Sequence, residues 1–121
     1  MSFQRQRRVR FQDCDPAGIV FYPRYIEMLT DVLEEWASQH LDGGLSGSAT
    51  LLPVAVDIRF LRPSRLGDML SVTLALCERS AESLAFDCSI DGDDGQRVRM
   101  RLSLGCFQPG PPVARIPLRY E

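Results

Sequence analysis

The sequence predicts an α+β fold in which one long helix packs against an antiparallel sheet of about five strands. Three observations predict it. A single segment, Pro23 to about His40, carries apolar side chains at helical spacing, while four later segments alternate apolar and polar residues with period two. Turn residues separate all of these segments, and there are no internal repeats.

Taken in order, Arg8 to Phe11 alternates charged and apolar residues, which predicts a short first strand with Val9 and Phe11 on one face. Asp13-Cys14-Asp15-Pro16-Ala17-Gly18 then breaks the chain direction. In the helix, Ile26, Leu29, Leu33, Trp36 and Ala37 form the apolar stripe. Pro23 suits its first turn and Gly43-Gly44 its stop. Asp42 to Thr50 is a Gly/Ser-rich loop. Val54, Val56, Ile58 and Phe60 open the run of strands, followed after the Arg62–Asp68 turn by Leu70, Val72, Leu74 and Leu76. Leu84, Phe86, Cys88 and Ile90 come next, and after the Asp91–Gly95 turn Val98, Met100, Leu102 and Leu104. Such alternation marks antiparallel strands covered on one face. A symmetric turn sets Phe86 opposite Met100 and Asp87 opposite Arg99. The tail, Gln108 to Glu121, holds four of the eight prolines and is expected to be irregular.

With 121 residues, one domain is expected. A net charge of −2 argues against a nucleic-acid partner, and no apolar run is long enough to span a bilayer. Met1 to Phe11 is Arg-rich and lacks the apolar region of a secretory signal, so the cytoplasm is the expected location. All 14 cationic side chains are Arg, which removes Lys-based Schiff-base chemistry. The one histidine, His40, excludes a multi-histidine metal site. It lies about 27 Å along the helix from Pro23 and reads as a partner of the helix C-terminus. Cys77, Cys88 and Cys106 read as buried thiols. One helix cannot shield the whole apolar face of such a sheet, so self-association, at least as a homodimer, is expected.

Chemistry concentrates around Asp15. One reading makes it a helix N-cap with Pro16 at the first position. The other makes it a carboxylate beside unpaired N–H groups at the helix start, where Pro23 has no N–H and Tyr22 supplies the donor. A carboxylate and one oxyanion donor form a minimal kit for attack on an activated carbonyl. Cys14 is a poorer nucleophile, because its two acidic neighbours disfavour a thiolate. Arg97, Arg99 and Arg101 read as a solvated strand face balanced by Asp87, with a phosphate-binding surface as the rival. Arg59, Arg62 and Arg65, around Pro63, are candidates of the same kind.

The stretch from Asp13 to Tyr25, DCDPAGIVFYPRY, resembles the signature of the 4-hydroxybenzoyl-CoA thioesterase family of hotdog-fold proteins. The Arg62–Asp68 turn resembles that family's second landmark, and the likeness extends from about Val9 to Tyr120. The resemblance implies a hotdog fold, one long helix wrapped by a five-stranded antiparallel sheet, and an acyl-CoA thioesterase that releases a free acid and CoA. It makes Asp15 the catalytic carboxylate, as nucleophile or as general base for water. The Tyr22 backbone N–H polarises the thioester carbonyl, and Gly18 lets the chain pass close to it. Tyr22-Pro23 is closer to the hydroxybenzoyl branch than to the branch related to Tol–Pal-associated thioesterases. Thr30 stands where hydroxybenzoyl-type relatives carry an acid that meets the ring hydroxyl. The segment Ser80-Ala81-Glu82-Ser83 is not basic, which leaves Arg79 and other arginines, Arg59, Arg62 and Arg65 among them, for the CoA phosphates. Sites in this family form between subunits, implying a homodimer or a dimer-of-dimers tetramer. No metal or other cofactor is implied. Two alternatives keep the fold: a thioesterase acting on acyl carrier protein, and a catalytically silent acyl-thioester-binding protein.

Overall fold

Apolar side chains recurring every three to four residues between Tyr22 and His40 build the helix α1 (Tyr22–His40). Its buried side consists of Tyr25, Met28, Leu29, Val32, Leu33, Trp36 and Ala37. Ile26, expected in this stripe, is 39% exposed because it lies a quarter-turn round from Tyr25. Pro23 occupies the first turn, and the His40 ring, Nδ1 3.0 Å from the Trp36 carbonyl, ends the helix as expected.

The computed structural model describes residues 2–47 and 50–107. Besides α1 it contains β1 (Ser2–Arg8), a 3-10 turn (Phe11–Asp13), β2 (Thr50–Phe60), β3 (Met69–Arg79), β4 (Ser83–Gly92) and β5 (Gly95–Phe107). The strands form one antiparallel sheet in the order β1-β3-β4-β5-β2, with α1 packed chiefly over β3 and β1. One helix on five antiparallel strands is the α+β arrangement that the alternation predicted. The inward residues of β3, β4 and β5 are the expected ones, and Trp36 of α1 meets Phe86 of β4 edge-on at 4.9 Å. The expectation for the tail from Gln108 lies outside the described residues.

Several details differ from the sequence expectation. The first strand runs over Ser2–Arg8 rather than Arg8 to Phe11. Phe11 is 82% exposed because the Asp13 carboxylate accepts the Arg10 N–H (2.8 Å) and tightens residues 11–13 into a turn. The β4–β5 register is displaced by two, so that Phe86 faces Leu102 and Asp87 faces Arg101. One step comes from a tight turn, with Gly92 opposite Gly95, and the other from a bulge at Arg97. A slip of two leaves the inward set unchanged, and Asp87 still meets an arginine, with Arg101 Nη1 3.4 Å away.

The same bulge breaks the alternation of Arg97, Arg99 and Arg101. Arg97 is buried, while Arg99 and Arg101 remain exposed. A second bulge leaves Cys77 unpaired and exposed, contrary to expectation. Cys88 is buried as expected, and burial pushes its thiol up to about 12. Cys106 is half-buried.

The two sheet edges differ in kind. β1 reads SFQRQRR, and charged side chains blunt an edge against further pairing. β2 reads TLLPVAVDIRF and exposes Val54, Val56 and Phe60 at 55%, 51% and 45%. Val56 and Phe60 stand opposite Leu102 and Val98, which places them on the core side of the sheet; Phe60 meets the rings of Tyr22 and Tyr25 of α1, yet both side chains stay about half exposed.

Candidate active site

The DPAG sequence predicts a turn, and it forms one. The Gly18 N–H donates to the Asp15 carbonyl (2.9 Å), and the Asp15 N–H donates to the Ile19 carbonyl (2.9 Å). Gly18 has φ +82° with open space where a Cβ would stand, so the turn requires glycine for its backbone angle rather than for room. No helix begins here, and Asp15 caps this turn instead of a helix. Its Oδ1 accepts from the Ala17 N–H (2.9 Å) and the Ile19 N–H (3.4 Å). Oδ2 accepts no hydrogen bond among the described residues. One carboxylate oxygen is therefore fixed by the turn while the other stays available.

The start of α1 is held beside this turn. The Phe21 N–H donates to the Asp13 carbonyl (2.9 Å), Pro23 has no N–H, and the Arg24 N–H donates to the Phe21 carbonyl (2.8 Å). The Tyr22 N–H meets no acceptor among the described residues. It carries the partial positive charge of the helix N-terminus. Asp15, Phe21, Pro23, Arg24 and Glu27 line one groove of about 540 Å³ together with Gln12, Cys14 and Pro16. Phe21, which lines it, starts a row of rings: Phe21 meets Tyr22 at 5.4 Å between centroids, and Tyr22 meets Phe60 of β2 at 5.7 Å.

Asp13 sets the floor of this arrangement. It is 1% exposed and accepts from both terminal nitrogens of the Arg7 guanidinium (2.8 and 3.2 Å) as well as from the Arg10 N–H. Burial alone pushes its carboxyl up, but Arg7 and the Arg10 N–H outweigh burial and hold it below the usual carboxylate value. A depressed folded-state value means stability that is present above the unfolded value and lost as pH falls through the folded one. Acid unfolding below about pH 4 is therefore expected to be less steep in Asp13→Asn than in the wild type, as read by circular dichroism. Parallel acid limbs in the two proteins would contradict it.

The other candidates lie at varied distances from the groove. Thr30 is exposed, and its hydroxyl donates to the Ile26 carbonyl (2.8 Å); Glu27, one turn earlier, lines the groove instead. Arg59 stands opposite Arg99 on the face away from α1, 3.7 Å from Asp57. Arg62 donates to the Asp94 carbonyl (2.7 Å). Arg65 bridges Ile19 through its backbone and so borders the Asp15 turn, with its side chain on a separate cavity of about 320 Å³. Sequence reasoning missed Arg24 and Glu27 as groove residues. Arg24 ties the helix to the 3-10 turn by donating to the Gln12 carbonyl (2.9 Å) and pairs with Glu27 (2.6 Å). Their i,i+3 spacing beside Pro23 was the available signal.

A profile of the thioesterase-like superfamily matches residues 9–111, a span that includes the groove and the whole sheet from β2 to β5. The chain belongs to the thioesterase-like superfamily. It is 30% identical over 104 residues to a 1,4-dihydroxy-2-naphthoyl-CoA hydrolase of Synechocystis, covering 83% of this chain and 75% of that protein. The crystal structure of a 1,4-dihydroxy-2-naphthoyl-CoA thioesterase from Synechocystis superposes with a TM-score of 0.82 at 27% identity, over 97% of this chain and 90% of that one. A mutant 4-hydroxybenzoyl-CoA thioesterase solved with 4-hydroxybenzoyl-CoA shares the fold, with a TM-score of 0.78 at 20% identity over 98% and 92% of the two chains. This member of the superfamily is a thioester hydrolase of hotdog fold. No helix among its described residues is long and apolar enough to cross a membrane.

Proposed function

We propose that this thioesterase hydrolyses an aromatic acyl-CoA, with Asp15 as the catalytic carboxylate and the Tyr22 N–H as the oxyanion donor. The observation that carries the reading is the neighbourhood of the Asp15 groove: a carboxylate with one oxygen unengaged lines it, and the helix-start residues Phe21 and Pro23 that flank the unengaged Tyr22 amide line it too. As nucleophile, Asp15 forms a mixed anhydride and expels the CoA thiolate, and water then cleaves the anhydride. As general base, it takes a proton from the water that attacks the thioester. Either route develops negative charge on the carbonyl oxygen, which the Tyr22 N–H stabilises.

The rings of Phe21, Tyr22 and Phe60 favour a flat aryl group over a straight acyl chain, since offset or edge contacts between rings add to the area they bury. The relatives named for 1,4-dihydroxy-2-naphthoyl-CoA make a hydroxylated bicyclic aryl-CoA the first substrate to try. In this reading Gly18 allows the thioester to approach the turn, Thr30 borders the acyl end, and Arg59, Arg62 and Arg65 serve the CoA phosphates. The active unit is a homodimer joined along β2, where an apolar edge and half-exposed core-side residues meet a second copy. A cytoplasmic location suits a CoA substrate.

Thiol release measured over a panel of aromatic, short-chain and medium-chain acyl-CoAs tests the substrate class. The highest kcat/KM is expected on hydroxyaryl-CoA. A preference for aliphatic esters, or for the same acyl group on acyl carrier protein, would overturn the assignment.

A further inference from the structure

We infer that Ser64, held by Arg97 and Tyr25, is the positioning residue that fixes the distance between the Asp15 carboxylate and the Tyr22 amide. This rests on the catalytic reading above and adds residues that do not touch the substrate groove.

Ser64 is 0% exposed and sits in the turn after β2. Its hydroxyl oxygen accepts from the Tyr25 hydroxyl (2.9 Å) and from Arg97 Nη1 (2.9 Å). Its carbonyl accepts the Val20 N–H (2.9 Å), and the next residue, Arg65, bridges Ile19. Val20 and Ile19 are the returning limb of the Asp15 turn, with Val20 paired to Cys14 and Ile19 bonded to Asp15 at both backbone and carboxylate. Tyr25 lies in the first turn of α1, three residues after Tyr22. One serine thus grips both halves of the site: the carboxylate-bearing turn through its carbonyl and the amide-bearing helix through its hydroxyl.

Arg97 anchors the serine from β5. Its Nη1 also contacts the Pro63 carbonyl (3.0 Å) and Asp68 (3.1 Å), and its Nη2 pairs with Asp94 (2.6 Å). The sheet is built around this side chain. The β5 bulge falls on Arg97, and bulges re-aim side chains. A Cβ at Gly92 would lie 2.4 Å from Arg97 Nη2, so only glycine leaves the guanidinium its place. The buried Arg97 Nε meets no partner among the described residues, but both terminal nitrogens are engaged, and contacts on Pro63, Ser64, Asp68 and Asp94 hold the guanidinium in one orientation, which is what a fixed catalytic distance needs.

Ser64→Ala and Tyr25→Phe test the inference, assayed per folded molecule well below their melting temperatures on the best thioester of the panel. Ser64→Ala is expected to lower kcat about tenfold or more with KM within about twofold, because misplacement weakens the chemical step more than binding. Tyr25→Phe, which keeps the Arg97–Ser64 contact, is expected to lower kcat by a smaller factor. Exchange of the Val20 amide is expected to accelerate in Ser64→Ala, a readout that does not depend on activity. Wild-type kcat and wild-type Val20 protection in folded Ser64→Ala and Tyr25→Phe would overturn the positioning role. An Asp15→Asn enzyme with full activity would instead overturn the catalytic reading on which it rests.

Discussion

Asp15→Asn is expected to remain folded and to lose thioester hydrolysis, with kcat falling about 10³-fold or more. The fold survives because an asparagine carbonyl can accept from the Ala17 and Ile19 N–H groups as the Asp15 Oδ1 does. Activity does not survive, because an amide is neither a nucleophile toward a thioester nor a base for water. The residual rate then reflects substrate binding and the Tyr22 amide alone. Melting curves together with steady-state thiol release check both halves of the expectation. An unfolded variant would show that Asp15 matters to the turn, whereas a folded and active one would remove it from the chemistry.

The second large effect concerns β2. Val56→Glu places a carboxylate on the half-exposed core-side surface of this strand. In a two-fold dimer the change enters twice, and a desolvated, unpaired charge at an interface is costly. The dimer dissociation constant is expected to rise about 100-fold or more, read by sedimentation or light scattering across a concentration series. Activity is expected to follow the dimer fraction as the protein is diluted, since the proposed site lies beside this surface, with Phe60 of β2 against Tyr22. A monomeric wild type, or a monomeric variant with full activity, would contradict the shared-site reading.

Where one face of a strand is covered completely, the sequence states that face plainly. Leu70, Val72 and Leu74, then Phe86, Cys88 and Ile90, then Val98, Met100, Leu102 and Leu104 alternate because their neighbours face solvent or the sheet's outer side. β1 escaped the same reading because residues 4–8, QRQRR, contain no apolar side chain, so an edge strand made of arginines and glutamines carries little hydrophobic signal. The bulges at Val54, Cys77 and Arg97 were equally hidden, since one inserted residue changes pairing without changing composition.

At the candidate site, the Asp15–Gly18 turn and the helix start at Tyr22 were legible from a local motif. The Ser64 anchor was not: it joins residues 25, 64 and 97, and hydrogen bonds over such separations leave no periodic trace. Arg97 looked like Arg99 and Arg101 until the turn through Ser64 folded over it.

The most direct measurement is a crystal structure of the wild-type protein with a non-hydrolysable hydroxyaryl-CoA analogue. The carbonyl oxygen of the analogue is expected about 2.7–3.1 Å from the Tyr22 nitrogen. The free Asp15 oxygen is expected to face the carbonyl carbon, directly or through one water. An analogue bound elsewhere, with Asp15 turned to bulk solvent in both copies of the chain, would contradict the catalytic reading.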